Sequence, residues 1–160
     1  MRSLRECNER SHGVIRRGVG AALGLLLVLA ISSPSQAQTH TIFNNGNIQA
    51  VQNAPTRETI VTLPAPTTIV TITTYHWNNA KGATPGTISL MNDKTGDLHG
   101  PWEATGSPGQ GGVPNAYWVV TPNLTLPAGD YIVIDSDPAT WAQNAGSRGA
   151  GFVTVEGSGR

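Results

Sequence analysis

The chain has 160 residues, with ten basic and ten acidic side chains, a single cysteine and 6% aromatic residues. Charges are few and the lysines are scattered, which excludes the clustered cations that a nucleic-acid surface needs. One cysteine excludes an internal disulfide framework.

Residues 1–37 read as a secretory leader. Arg2, Arg5, Arg10, Arg16 and Arg17 precede an uncharged apolar run from Gly18 to Ile31. Pro34 breaks the run, and Ser35-Gln36-Ala37 gives the small-x-small pattern of a signal-peptidase site. The run is too short to span a bilayer, which takes roughly 20 residues. Arg16-Arg17 raises a twin-arginine export route, although Gly18-Val19-Gly20 matches that signal poorly. Cleavage is expected before Gln38 or Thr39, giving a secreted or periplasmic protein with no membrane span in its mature chain. Cys7 leaves with the leader. The remaining Gln38–Arg160 carries five basic residues against eight carboxylates, a net charge of −3.

Beyond the leader the composition favours Thr, Val, Ile, Gly, Pro and Asn, and disfavours Leu, Glu and Lys. That pattern suits strands and turns. The first strand is expected around Thr41–Phe43, continuing through Ile48–Val51 after the Asn44–Asn47 turn. Glu58–Leu63 and Thr67–Trp77 follow, with Val70 and Ile72 on one face of the second and Thr71 and Thr73 on the other. Gly86–Met91 leads through the turn Asn92–Gly96 into Asp97–Ala104. Thr105–Asn115 is rich in glycine and proline and reads as a loop. Strands resume at Ala116–Thr121, Gly129–Ser136 and Gly151–Glu156. About eight strands with turn signals every 8–12 residues predict one all-β domain over 38–160. The expected form is a single antiparallel β-sandwich, immunoglobulin-like or jelly-roll.

Leu126–Tyr131 is a turn entering a strand, close to the tyrosine corner of β-sandwiches. Its tyrosine is expected to pack inward and bond back to the turn. Asp135 and Asp137 end the same strand two residues apart. With Asn144 they form a candidate oxygen shell for Ca²⁺; the competing reading is a turn that caps its own backbone amides. Asn92–Asp97 reads as a hairpin turn. His40, His76 and His99 are isolated and show no transition-metal spacing. No Gly-x-Ser-x-Gly elbow occurs, and Glu103, Asp135 and Asp137 are the only hint of a glycosidase pair.

The loop 105–115 is the best ligand-contacting segment, since unstructured loops of that length tend to carry function. Trp102 precedes it and Tyr117-Trp118 follow it. Indole faces suit the C–H faces of sugar rings, and Gln110 and Asn115 are placed to meet hydroxyls. The expected ligand site is therefore Trp102, Gln110, Asn115 and Trp118.

The segment from Tyr75 onward resembles a secreted β-sandwich module of exported bacterial proteins. The residues carrying the resemblance are His76-Trp77-Asn78-Asn79, Pro85-Gly86, Gly100-Pro101-Trp102, Gly109–Asn115, and Leu126–Tyr131 leading to Asp135–Pro138 and Trp141. The resemblance implies export and a β-sandwich, and transfers no activity and no site residues. The expected function is that of an exported, non-catalytic module recognising a glycan or similar polar ligand in a cell-surface setting. The alternatives are a structural or adhesive subunit that binds proteins through sheet edges, and a small carbohydrate-active enzyme.

Overall fold

A computed structural model describes residues 38–159. The leader read over 1–37 lies outside the described residues, as does Arg160. Among the described residues twelve strands form: β1 (His40–Asn44), β2 (Gln52–Asn53), β3 (Thr59–Leu63), β4 (Thr67–Tyr75), β5 (Thr87–Asn92), β6 (Leu98–Glu103), β7 (Thr105–Ser107), β8 (Tyr117–Val120), β9 (Leu124–Leu126), β10 (Gly129–Asp135), β11 (Ala142–Gln143) and β12 (Val153–Gly159). Among the described residues the only helical pieces are single 3₁₀ turns at Asn78–Ala80 and Gln110–Gly112. Among the described residues no helix is long and apolar enough to cross a membrane.

The strands make two larger antiparallel sheets and one small one. The first runs β1-β12-β4-β8-β7, with β9 also paired to β4; the second runs β3-β10-β5-β6; β2 and β11 pair alone. β4 is the spine of the first sheet. One of its edges is shared, with Thr67–Ile69 against β9 and Ile72–Tyr75 against β8. Residues of both larger sheets meet in one hydrophobic core. Val61, Leu63, Ile88, Leu90 and Tyr131 come from the second sheet, and Ile69, Ile72, Trp118, Val120 and Val155 from the first. Burying such side chains contributes about 1.5–3 kcal/mol each before entropy is counted.

Local chemistry explains several boundaries. Proline has no backbone N–H to give to a ladder, so β9 ends before Pro127 and β10 starts after Pro127-Ala128. Tyr131 is buried, and its hydroxyl donates to the Pro127 carbonyl at 3.1 Å, the bond that the turn sequence predicts. In the β5–β6 hairpin, Asn92 Oδ1 accepts from the amides of Lys94 at 3.0 Å and Thr95 at 2.9 Å. That local bonding is why asparagine suits the first position of such a turn.

The alternation expected along β4 is displaced. Ile69, Ile72 and Thr74 are buried, and Val70, between Ile69 opposite Gly157 and Thr71 opposite Glu156, has no partner on β12. A bulge opposite Glu156 and Gly157 inserts one residue, and a one-residue insertion exchanges the faces on either side. The strand expected at Ile48–Val51 does not form, and pairing begins instead at Gln52. The expected loop 105–115 opens with the short strand β7. β9 and β11 were not anticipated, because each is only two or three residues long.

Candidate functional site

β4 and β8 lie side by side with Tyr75 opposite Tyr117 and Thr74 opposite Trp118. Successive side chains in a strand leave on opposite faces, so each strand end carries one ring outward and the next inward. The inward pair is His76 and Trp118, stacked with ring centroids 3.7 Å apart and planes 17° apart. The outward pair is Tyr75 and Tyr117, with centroids 4.8 Å apart and planes tilted by 40°.

The inward pair is enclosed by polar groups. His76 and Trp118 are both 0% exposed. His76 Nε2 lies 3.1 Å from Asp135 Oδ2 and 3.1 Å from Thr74 Oγ1. Its Nδ1 lies 2.8 Å from Thr140 Oγ1. Thr74 donates to Asp135 Oδ2 at 2.9 Å, Thr140 donates to Asp137 Oδ2 at 2.7 Å, and the Asp137 amide donates to Asp135 Oδ1 at 2.9 Å. The Trp118 indole donates to the Ala83 carbonyl at 3.3 Å. A Thr–His–Asp series of this kind invites a catalytic reading, but the ring is enclosed on every side. Its work is to tie β4, β8 and the 135–141 turn together.

The outward pair sits in a groove of about 630 Å³. Its floor is Thr73, Tyr75 and Thr154; one wall is Asn44, Gly46, Asn47 and Ile48; the other is Pro108, Gly109, Gln110 and Tyr117. No carboxylate, lysine, arginine or histidine lines it. Burial, then the neighbouring Tyr117, push the Tyr75 phenol above its ordinary value of 10.0, and a hydrogen bond from the Gln110 backbone partly opposes them. The 105–115 loop can lie this close because residue 109 is glycine. A Cβ there would come 2.5 Å from Ala116 Cβ and 3.1 Å from the Tyr75 ring.

The first wall is held by amides. Asn47 and Asn144 exchange side-chain hydrogen bonds, at 3.1 Å from Asn47 Nδ2 and 2.7 Å from Asn144 Nδ2. Asn45 donates to the Gly151 carbonyl at 2.9 Å and accepts from the Val153 amide at 2.8 Å. Ile48 projects beyond them and is fully exposed.

The residues singled out from sequence therefore separate. Gln110 lines the groove. Trp118 is turned into the core beneath His76, so the stacking role expected of it passes to its neighbour Tyr117. Trp102 stands on β6, in the other sheet, and leans against the core. Asn115 is exposed ahead of β8 at φ 50°, close against Gly106 and outside the groove lining. Asp135 and Asp137 bond to the His76 network and Asn144 to the Asn47 wall, so the three do not share one set of partners. No group of three or more His, Cys, Asp or Glu is placed to hold a metal ion among the described residues. Tyr75 was missed, and Tyr117, which also borders the loop, was passed over for Trp118 because Tyr117-Trp118-Val119-Val120 is apolar on both faces. The available signal was chemical, since a tyrosine brings a hydroxyl that favours the wetter side.

The chain matches no protein-family model, no curated protein and no solved structure.

Proposed function

We propose that the protein is an exported, non-catalytic module that binds a neutral glycan across the Tyr75–Tyr117 groove. The single observation that carries this reading is the composition of the groove: two outward phenol rings bordered by Asn44, Asn47, Gln110, Thr73 and Thr154, with no charged side chain. Ring faces cover the C–H faces of a sugar, and amides and hydroxyls both donate and accept toward its hydroxyls. The lack of charge fits an uncharged ligand, since burying an unpaired charge is costly. Export follows from the leader read over 1–37. The shared core supports a single sandwich in which the two larger sheets pack face to face, with the groove on the outside of the first.

The test is affinity electrophoresis through gels containing neutral polysaccharides such as glucomannan, xyloglucan or hydroxyethyl cellulose. Wild type is retarded by at least one. Tyr117→Ala runs freely, since truncating a central contact residue costs more than about 1 kcal/mol of binding. Indifference of wild type to every neutral polysaccharide sinks the proposal.

The adhesive reading has one observation of its own. On the second sheet, Ile60, Ile132, Met91 and Leu98 pair in one row across all four strands, and Ile60 and Leu98 are 41% and 55% exposed. Self-association measured by sedimentation, and abolished by Leu98→Lys, favours that reading.

A further inference from the structure

A second pocket, of about 410 Å³, lies on the other side of the segment Phe43–Ile48. Asn44, Gly46, Asn47 and Ile48 line the groove, whereas Phe43 and Asn45 line this pocket. One strand end and its following loop therefore form a partition between the two.

The pocket has the opposite electrostatic character to the groove. Residues 38–160 hold five basic side chains, and two of them, Arg57 and Arg148, line it. The backbone sets them side by side. The amides of Thr56 and Arg57 donate to the Gly149 carbonyl at 2.9 Å and 3.2 Å, and Arg57 makes a parallel bridge with Ala150. Gly149 has φ +81°, and a Cβ there would lie 2.3 Å from Thr56 Oγ1, so only glycine permits the approach. Ser147 fixes the turn that presents Arg148, donating to the carbonyls of Asn144 at 3.0 Å and Ala150 at 2.7 Å. Among the described residues neither guanidinium has a carboxylate within ion-pair distance. Glu58 also lines the pocket, which leaves one net positive charge. Phe43 and Ile60 supply apolar surface beside the guanidinium groups.

We propose that this pocket is a second binding site, for the singly charged group of an acidic sugar unit, a carboxylate or a sulfate ester. Two arginines present planar donor forks that match the oxygens of either anion. One net positive charge balances one negative charge, and the apolar surface covers a ring face. The identity of the carrier as a sugar rests on the glycan reading of the groove. A chain of mixed neutral and acidic units lies with a neutral unit on the tyrosines and a charged unit beyond the partition.

The experiment is calorimetric titration of the protein with three probes: a galacturonate oligomer, a sulfated galactan oligomer and cellohexaose. One of the two anionic probes binds about tenfold more tightly than the neutral one, the scale of a paired charge at a binding surface. Which of the two does so identifies the anion. The preference disappears in the Arg57→Gln/Arg148→Gln double variant, whose melting temperature is unchanged because both side chains are exposed. It persists in Lys94→Gln, which removes a charge outside the pocket. Equal affinity for all three probes overturns the proposal, as does a preference that survives the double arginine change or falls equally in Lys94→Gln. Arginine-dependent anion binding by a protein that ignores neutral probes leaves this site standing and removes the groove reading alone.

Discussion

Two pairs of rings stand back to back at one end of the first sheet, and they differ in every respect except position. His76 and Trp118 face inward, nearly parallel, with Thr74, Thr140 and Asp135 closing around the imidazole. Tyr75 and Tyr117 face outward, one residue earlier on each side, tilted and bordered by amides. The contrast teaches that a strand end can separate rigidity from recognition by parity alone. The inner pair ties the two strand ends together, and the outer pair, one residue earlier on each strand, takes its backbone spacing from that tie.

The comparison is broken most severely from the inside. Asp135→Ala leaves Thr74, His76 and the Asp137 amide facing an empty position, and is expected to lower stability by about 3–5 kcal/mol in urea unfolding. A loss no larger than that of a surface substitution shows that the network is incidental. The outer pair responds the other way. Tyr117→Ala is expected to shift stability by less than about 1 kcal/mol while abolishing retardation by neutral polysaccharide. If both variants lose stability equally, the division between the pairs is false.

Weaker tests address what surrounds the rings. Asn47→Ala removes one half of the amide pair with Asn144. It is expected to cost about 1 kcal/mol and to weaken glycan binding several-fold, since the wall loses its tie. Calcium provides a separate check. Asp135 and Asp137 already meet protein donors, so melting in EDTA and in millimolar Ca²⁺ is expected to coincide; a saturable rise reassigns the 135–137 turn to a cation site. The smallest effect concerns Tyr75. Its phenol titrates above 10.0, so the folded state keeps its proton where the unfolded chain has lost it. That contribution to stability is complete below pH about 10 and disappears as pH rises through the folded value. Tyr117→Phe removes one cause of the shift, and the alkaline absorbance change of Tyr75 is expected to move toward the ordinary range.

Much of the framework was legible because it is local. β3, β5, β10 and the Asn92 turn carry alternation or turn chemistry within a few residues, and Tyr131 announces its bond to Pro127. The short strands were not, because β2, β7, β9 and β11 exist only through partners distant in the chain. Val70 was misplaced because a bulge depends on the opposing strand, which no run of residues on β4 reveals. The site was half legible. Gln110 was found from loop composition, whereas the choice between Tyr117 and Trp118 is one of parity in a run that is apolar on both faces. The His76–Asp135 contact joins residues 59 positions apart, and no local spacing signals it. The pairing of Arg57 with Arg148 is similarly invisible until Gly149 brings their segments together.

The tie at Asn45 also governs how the chain ages. An asparagine followed by glycine is the sequence most prone to lose ammonia, because the following amide nitrogen can attack the side-chain carbonyl. Here Asn45 is held at both ends of its amide by Gly151 and Val153, and the Gly46 amide is committed to Asn44 Oδ1 at 2.8 Å. The attacking and attacked groups are both occupied as long as the fold persists. Folding therefore acts as a preservative for the groove wall, and deamidation at Asn45 becomes a chemical record of the time the chain has spent unfolded.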